Sequence, residues 1–281
     1  NNYEEIVFDF AGTPINTPKD FIFEHYKTLF KWDFKNSPLI EESKDEQKKR
    51  IIFARNCDIK AIKLLDNWFG KNPKDDIYKK FRENLLIIHL GCSKIGSFCF
   101  CSTFDISPIE KFDFDMQILF FNADLILQVK NKIMQLPQYL KKIENIEIDT
   151  ETKKYNIENI KNIADIQGNN ILYDEIDRRC QVCDGCTFLC PTCSCFDVAD
   201  FGDETSGERI RMWDSCLFES FTRMAKGYNP LPTKKERWSH RLSCKLLFNE
   251  RSCIGCGRCD MSCPGNIGMS SILSIYQKDE R

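Results

Sequence analysis

Cys180-Gln181-Val182-Cys183-Asp184-Gly185-Cys186-Thr187-Phe188-Leu189-Cys190-Pro191 is the stretch on which the chain is organised. Its spacing recurs in Cys253-Ile254-Gly255-Cys256-Gly257-Arg258-Cys259-Asp260-Met261-Ser262-Cys263-Pro264. Each is a C-x2-C-x2-C-x3-C-P run, the pattern that holds cubane iron–sulfur clusters, and in two-cluster proteins the fourth cysteine of one run ligates the other cluster. The expected ligand sets are therefore Cys180, Cys183, Cys186 and Cys263 for one [4Fe-4S] cluster, and Cys253, Cys256, Cys259 and Cys190 for the second. Structural zinc also uses C-x2-C pairs, but two pairs satisfy it. Zinc gives no reason for a third cysteine, a fourth at the x3 spacing and a proline, twice over.

Sixty-two residues separate Cys190 from Cys253, too many for a short hairpin between cluster loops. Ile210, Trp213, Leu217, Phe221 and Met224 recur at three- and four-residue steps and predict a helix, which Gly227, Pro230 and Pro232 end. Thr233 and Glu236 form a capping-box signal for a second helix, reaching about Phe248, with Trp238, Leu242 and Leu246 on its apolar side. Two clusters held between helices resemble the α-helical ferredoxin module of multi-subunit reductases. The expected fold class is α+β: an N-terminal α+β domain over residues 1–168, then an all-α, helical-ferredoxin-like dicluster domain over 169–281.

The 281 residues suffice for two cores. A formal net charge of −2 with intermixed signs gives no reason to expect nucleic acid or an anionic membrane surface as partner. The apolar runs Leu85–Leu90 and Ile118–Phe121 are far too short to span a bilayer. No secretory signal is legible at the start, which is Asn1. Sixteen cysteines could suggest a disulfide-rich secreted protein, but the length, the apolar content and the cluster spacing of eight of them argue for thiols kept reduced in an anaerobic cytoplasm. His25, His89 and His240 form no metal-binding pair and read as surface or packing residues.

Along the N-terminal half, Ile6–Phe10 and Asp20–Phe23 read as short strands, and Glu41–Arg50 as a solvated charged run. Asp58 caps a predicted helix carrying Ile62, Leu65, Trp68 and Phe69, ended by Gly70; a further helix holds Ile77, Tyr78 and Phe81. Asn84–Leu90 reads as a strand, Asp115–Phe121 and Leu125–Val129 as a hairpin, and Lys141–Asn169 as a polar linker or solvent-facing helix. No Walker A or G-x-G-x-x-G run occurs, so the chain shows no nucleotide or flavin cradle.

Eight cysteines remain. Cys57, Cys92, Cys99 and Cys101 fall in the N-terminal half, where a third cluster, a zinc site and ordinary buried thiols are the competing readings. Cys193, Cys195, Cys216 and Cys244 follow the first run or lie on the two predicted helices of the insert. Packing and S–H contacts are favoured for these four over a further cofactor. Arg178, Arg179, Arg251 and Arg258 flank the cluster loops, either as solvated side chains or as charges that raise potential or dock an acidic partner.

The string Cys190-Pro191-Thr192-Cys193-Ser194-Cys195-Phe196-Asp197, then Arg211-Met212-Trp213-Asp214-Ser215-Cys216, Phe221-Thr222, Gly227-Tyr228-Asn229-Pro230 and the Cys253 run, resembles a known family. It is the 4Fe-4S dicluster iron–sulfur subunit shared by anaerobic sulfite reductases and cytosolic nickel–iron sulfhydrogenases, in the latter as the β subunit. Pro18-Lys19 through Phe23, Cys57-Asp58, Leu65-Asp66, and Cys92 through Cys99-Phe100-Cys101 extend the likeness over nearly the whole chain. Cys244 departs from it, standing where the family is expected to carry histidine. The resemblance implies an electron conduit between a flavin-containing NAD(P)H or ferredoxin oxidoreductase subunit and a catalytic subunit. That catalytic partner is a sirohaem sulfite reductase in the favoured branch and a nickel–iron hydrogenase in the alternative. A chain with its own substrate-reducing cluster, and a structural zinc scaffold, are the competing classes. On the conduit reading the chain is an oxidoreductase subunit without catalysis of its own, and the terminal acceptor stays open.

Overall fold

The computed structural model describes residues 13–35, 39–42, 48–71, 74–92, 94–109, 116–121, 124–129, 152–161, 167–168, 170–247 and 251–279. Ile6–Phe10, half of the Glu41–Arg50 run and most of the 141–169 segment lie outside them.

Thr17 and Pro18 start a 3-10 turn over Pro18–Phe21, Thr17 Oγ1 accepting from Lys19 N. The strand expected at Asp20–Phe23 is therefore a turn, and it delivers Ile22 and Phe23, both fully buried, into the N-terminal core. Strand β1 (Tyr26–Asp33) pairs antiparallel with β2 (Leu39–Glu42). Strand β3 (Arg50–Ala54) leads into helix α1 (Asn56–Phe69), and helix α2 (Asp76–Glu83) into strand β4 (Leu85–Leu90). Asp58 Oδ2 accepts from Arg55 N in the first turn of α1, and Gly70 closes the helix. Ile62, Leu65 and Phe69 are buried as expected, while Trp68 is 63% exposed and belongs to the opposite face. After a 3-10 turn over Cys101–Phe104 come β5 (Met116–Phe121) and β6 (Asp124–Val129), the expected antiparallel hairpin. They join a four-stranded sheet in the order β3-β4-β5-β6, in which β3–β4 and β4–β5 are parallel.

The second half contains helices α3 (Asn170–Arg179) and α4 (Gly185–Phe188), strands β7 (Phe196–Gly202) and β8 (Ser206–Trp213), and helices α5 (Lys234–Leu246), α6 (Arg258–Ser262) and α7 (Met269–Asp279). The region 169–281 is thus not all-helical. The helix predicted from Ile210 to Met224 is instead the end of β8, the second strand of an antiparallel hairpin, followed by turns. Its loop explains why: Asp203 Oδ1 accepts from Thr205 N at 2.7 Å and Ser206 N at 2.9 Å, a local closure that favours a turn. Gly207 admits the Trp32 ring and the Phe201 carbonyl, each within 2.5 Å of where a Cβ would stand. β8 then pairs with β1 from Tyr26↔Met212 to Asp33↔Ser206, making a second sheet in the order β2-β1-β8-β7. The capping box at α5 is formed: Thr233 N donates to Glu236 Oε2 at 2.8 Å, and Glu236 N to Thr233 Oγ1 at 3.2 Å.

Two main cores result. Phe23, Ile52, Ile62, Leu65, Phe69 and Trp213 pack under the N-terminal elements. Leu172, Ile176, Leu217, Trp238, Leu242 and Ile272 build the other, together with Phe100, Tyr155, Ile157 and Ile160. The sheet through β1 and β8 and this second core both join residues on either side of position 168. Among the described residues no helix is long and apolar enough to cross a membrane.

Candidate metal centre

The two cysteine runs fold alike. Val182 and Asp184 in the first run have φ of 53° and 57°, and their counterparts Gly255 and Gly257 in the second have 63° and 77°. Two left-handed residues per loop curl the backbone around the sulfurs, a conformation costly for a β-branched side chain such as Val182. A four- or five-residue helix then carries each chain onward, α4 in one run and α6 in the other, and these two helices pack together.

Cys180, Cys183, Cys186 and Cys263 line one cavity, about 350 Å³ of non-atom space partly open to solvent, walled by Leu217, Trp238 and Ile267. Cys253, Cys256, Cys259 and Cys190 line another of about 340 Å³, with Phe100, Arg241, Lys245 and Arg258 in its wall. Each cavity thus meets three cysteines of one run and the last cysteine of the other. A third cavity, about 320 Å³, is lined by Cys57, Cys92, Cys99 and Cys101 together with Gly255 and Cys256. All sixteen cysteines are free thiols. Among the described residues no group of three or more His, Cys, Asp or Glu side chains is disposed to hold a single metal ion. The sulfurs surround volumes rather than converge on a point, and four soft thiol donors per volume fit an iron–sulfur cluster.

Donors already face the sulfurs. Val182 N and Trp238 Nε1 lie 3.4 and 3.3 Å from Cys180 Sγ, Ile267 N lies 3.3 Å from Cys263 Sγ, and Met269 N lies 3.4 Å from Cys259 Sγ. Such bonds stabilise the more negative, reduced state of a cluster and raise its potential. Burial pushes the Cys186 and Cys256 thiols up to about 11 and the Cys253 thiol up to about 12. Thiolates at these depths need positive charge beside them.

That charge comes from side chains the motif does not contain. Arg241 is buried on α5, its Nη2 donating to Cys186 O at 2.9 Å and its Nη1 standing 3.7 Å from Cys193 Sγ. Lys245, one turn on and also buried, donates to Thr192 Oγ1 at 2.8 Å. Burial alone would lower the Lys245 pKa, but the thiolates of Cys190 and Cys193 hold it above the ordinary lysine range. Lys19 reaches across from the N-terminal turn to Cys193 O at 3.1 Å, with its ammonium 3.8 Å over the Trp213 ring; burial lowers its pKa. Sequence reasoning passed over these three. The available signal was that Arg241 and Lys245 share the stripe of Trp238, Leu242 and Leu246, so two cations sit within an otherwise apolar helix face.

Of the four arginines flanking the loops, Arg178 pairs with Glu175 at the surface, Arg179 donates to Gly265 O at 2.9 Å, and Arg251 is exposed. Arg258 is different. It is fully buried, donates from Nε to Asn16 O, and its Nη1 stands 2.7 Å from Asp58 Oδ1 in an ion pair out of hydrogen-bond alignment. Burial alone would lower its pKa, but the charges of Asp58 and, less strongly, of the Cys256 and Cys57 sulfurs nearby hold it above the ordinary arginine range. Cys193, Cys195, Cys216 and Cys244 also gather: Cys193 is hydrogen-bonded to Cys190, Cys195 to Cys216, and Cys244 lies near Cys216.

Residues 179–267 match the 4Fe-4S dicluster domain. The match spans both runs of this chain and the hairpin and helix between them. The whole chain is similar to the sulfhydrogenase 2 subunit beta of Pyrococcus furiosus, 28% identical over 97% of this chain and 86% of that protein. No solved structure matches. The two likenesses support the iron–sulfur subunit family that the sequence resembles.

Proposed function

We propose that this chain is the electron-transfer subunit of a soluble, cytoplasmic oxidoreductase complex. Two [4Fe-4S] clusters, held by Cys180, Cys183, Cys186 and Cys263 and by Cys253, Cys256, Cys259 and Cys190, pass single electrons through it. The observation that carries this is the pair of cavities, each lined by three thiols of one run and the fourth of the other. A buried cation set at Arg241 and Lys245 compensates the anionic clusters, and N–H donors at Cys180, Cys259 and Cys263 tune them.

The catalytic partner we favour is a hydrogenase, because the relative covering nearly the whole chain is named a sulfhydrogenase beta subunit. The sulfite reductase branch rests on motif resemblance alone. A flavin-containing NAD(P)H or ferredoxin oxidoreductase subunit supplies or takes the electrons at the other end. The chain itself carries no nucleotide loop.

Anaerobic affinity purification from the native cell tests this. The complex is expected to contain a nickel–iron catalytic subunit and a flavoprotein, and the isolated chain is expected to bleach with a low-potential reductant while neither consuming hydrogen nor reducing sulfite. Sustained turnover by the isolated chain sinks the conduit reading. Co-purification with a sirohaem protein moves it to the sulfite branch.

A further inference from the structure

Cys57, Cys92, Cys99 and Cys101 come from separate places: the first turn of α1, the chain just after β4, the loop that follows, and the 3-10 turn at Cys101. Packed as small apolar residues they would fill a core. Cys57 and Cys101 do border a small apolar cluster with Ala61, Ile106 and Ile254, yet all four cysteines also line a common cavity nearly as large as the two in the dicluster segment. Cys57, Cys92 and Cys101 are buried and Cys99 half-buried. Hydroxyls approach the sulfurs: Thr13 Oγ1 lies 3.8 Å from Cys57 Sγ and 3.6 Å from Cys99 Sγ, and Thr152 Oγ1 lies 3.9 Å from Cys101 Sγ.

The position of this cavity matters as much as its lining. The segment Phe98–Cys101 lies directly on the second cluster loop. Phe100 N donates to Gly255 O at 2.8 Å. A Cβ on Gly255 would fall 2.5 Å from the Phe100 carbonyl and 2.6 Å from Cys101 N, and one on Gly257 would fall 2.6 Å from Phe98 O. The equivalent positions of the first run carry Val182 and Asp184, with the same left-handed backbone. The second run therefore needs glycine because a cysteine-bearing strand of chain is pressed against it. As a result Gly255 and Cys256 form the wall between the Cys253 cavity and the Cys57 cavity, and Phe100 lies beside that wall. The buried Arg258–Asp58 pair sits at the same junction, Asp58 following Cys57 in α1 and Arg258 lining the Cys253 cavity.

We propose that Cys57, Cys92, Cys99 and Cys101 hold a third [4Fe-4S] cluster. It adjoins the Cys253 cluster across the Gly255–Cys256 backbone and forms the N-terminal end of the relay. This rests on the electron-transfer reading above. Each step moves one electron, the donor cluster being oxidised as its neighbour is reduced, with no bond made or broken and no further reactant.

The test is the iron, acid-labile sulfide and zinc content of the anaerobically reconstituted full chain, with Cys99→Ala and Cys92→Ser beside the wild type. The wild type is expected to carry about twelve irons and about twelve sulfides, as three cubanes require. Each variant is expected to lose about four of both while keeping the dicluster paramagnetic signals, now without the magnetic coupling that a neighbouring third cluster imposes. Cys99 is the half-buried member, so its truncation disturbs the fold least. Should both variants fail to fold, the wild-type count decides. About eight irons and no zinc overturns the third cluster in favour of plain buried thiols, and about eight irons with one zinc overturns it in favour of a zinc site. An undiminished iron count in Cys99→Ala overturns the ligand assignment. Those three results leave the two-cluster conduit standing, whereas negligible iron overturns both proposals.

Discussion

Replacing Gly255 by alanine isolates the contact between the two halves. At φ 63° any side chain costs about 1–2 kcal/mol of backbone strain. The new methyl would also stand 2.5 Å from the Phe100 carbonyl carbon and oxygen and 2.6 Å from Cys101 N, all backbone atoms with no rotamer through which to yield. Overpacking of that kind costs about 1–3 kcal/mol, for a total of about 2–5 kcal/mol. Gly227 is the internal control: its φ is 77°, yet nothing lies within 4 Å of an added Cβ, so Gly227→Ala bears the backbone cost alone. Val182, left-handed at the position equivalent to Gly255, shows that the loop itself accommodates a side chain there. At about 2–4 °C per kcal/mol for a large domain, Gly255→Ala is expected to melt about 4–20 °C below wild type and Gly227→Ala about 2–8 °C below. Both are read anaerobically at one scan rate by loss of cluster absorbance, because cluster loss makes the transition irreversible. Equal shifts in the two variants would refute the claim that Phe100 and Cys101 dictate glycine at 255.

Three further outcomes follow from the same structure. Cys263→Ala is expected to damage the cluster of Cys180, Cys183 and Cys186, and Cys190→Ala that of Cys253, Cys256 and Cys259, as read by paramagnetic resonance; the converse pattern means that each run serves its own cluster. Asp58→Asn leaves the fully buried Arg258 without its carboxylate and is expected to cost about 3–5 kcal/mol, much of it recovered in Asp58→Asn/Arg258→Met, by a double-variant denaturation cycle. Trp238→Phe removes the 3.3 Å indole donor from Cys180 Sγ. It is expected to lower the potential of that cluster on the order of tens of millivolts with iron content unchanged, and a potential that does not move removes Trp238 from the tuning set.

The amino-acid sequence by itself carried the parts whose chemistry is local in spacing. Two C-x2-C-x2-C-x3-C-P runs name their ligand type whatever the fold around them, and the capping box at Thr233 and Glu236 declares its helix because its bonds close within one turn. Strand β4 and the β5–β6 hairpin were likewise legible, since apolar runs and turn residues bound them. Residues Ile210 to Met224 were not. Their spacing suits a helical stripe, and only pairing with β1, far away in sequence, and with β7 makes Ile210, Arg211 and Trp213 buried residues of a strand. Tertiary structure alone decided the rest, because the effects are non-local. Lys19, Arg241, Lys245 and Arg258 become buried countercharges only where distant segments close over them, and the Phe98–Cys101 segment turns two glycines of a cluster loop into a requirement. Sequence spacing specifies which atoms can bind iron; only the packed chain specifies which cysteines surround the same cavity and what charge is buried with them.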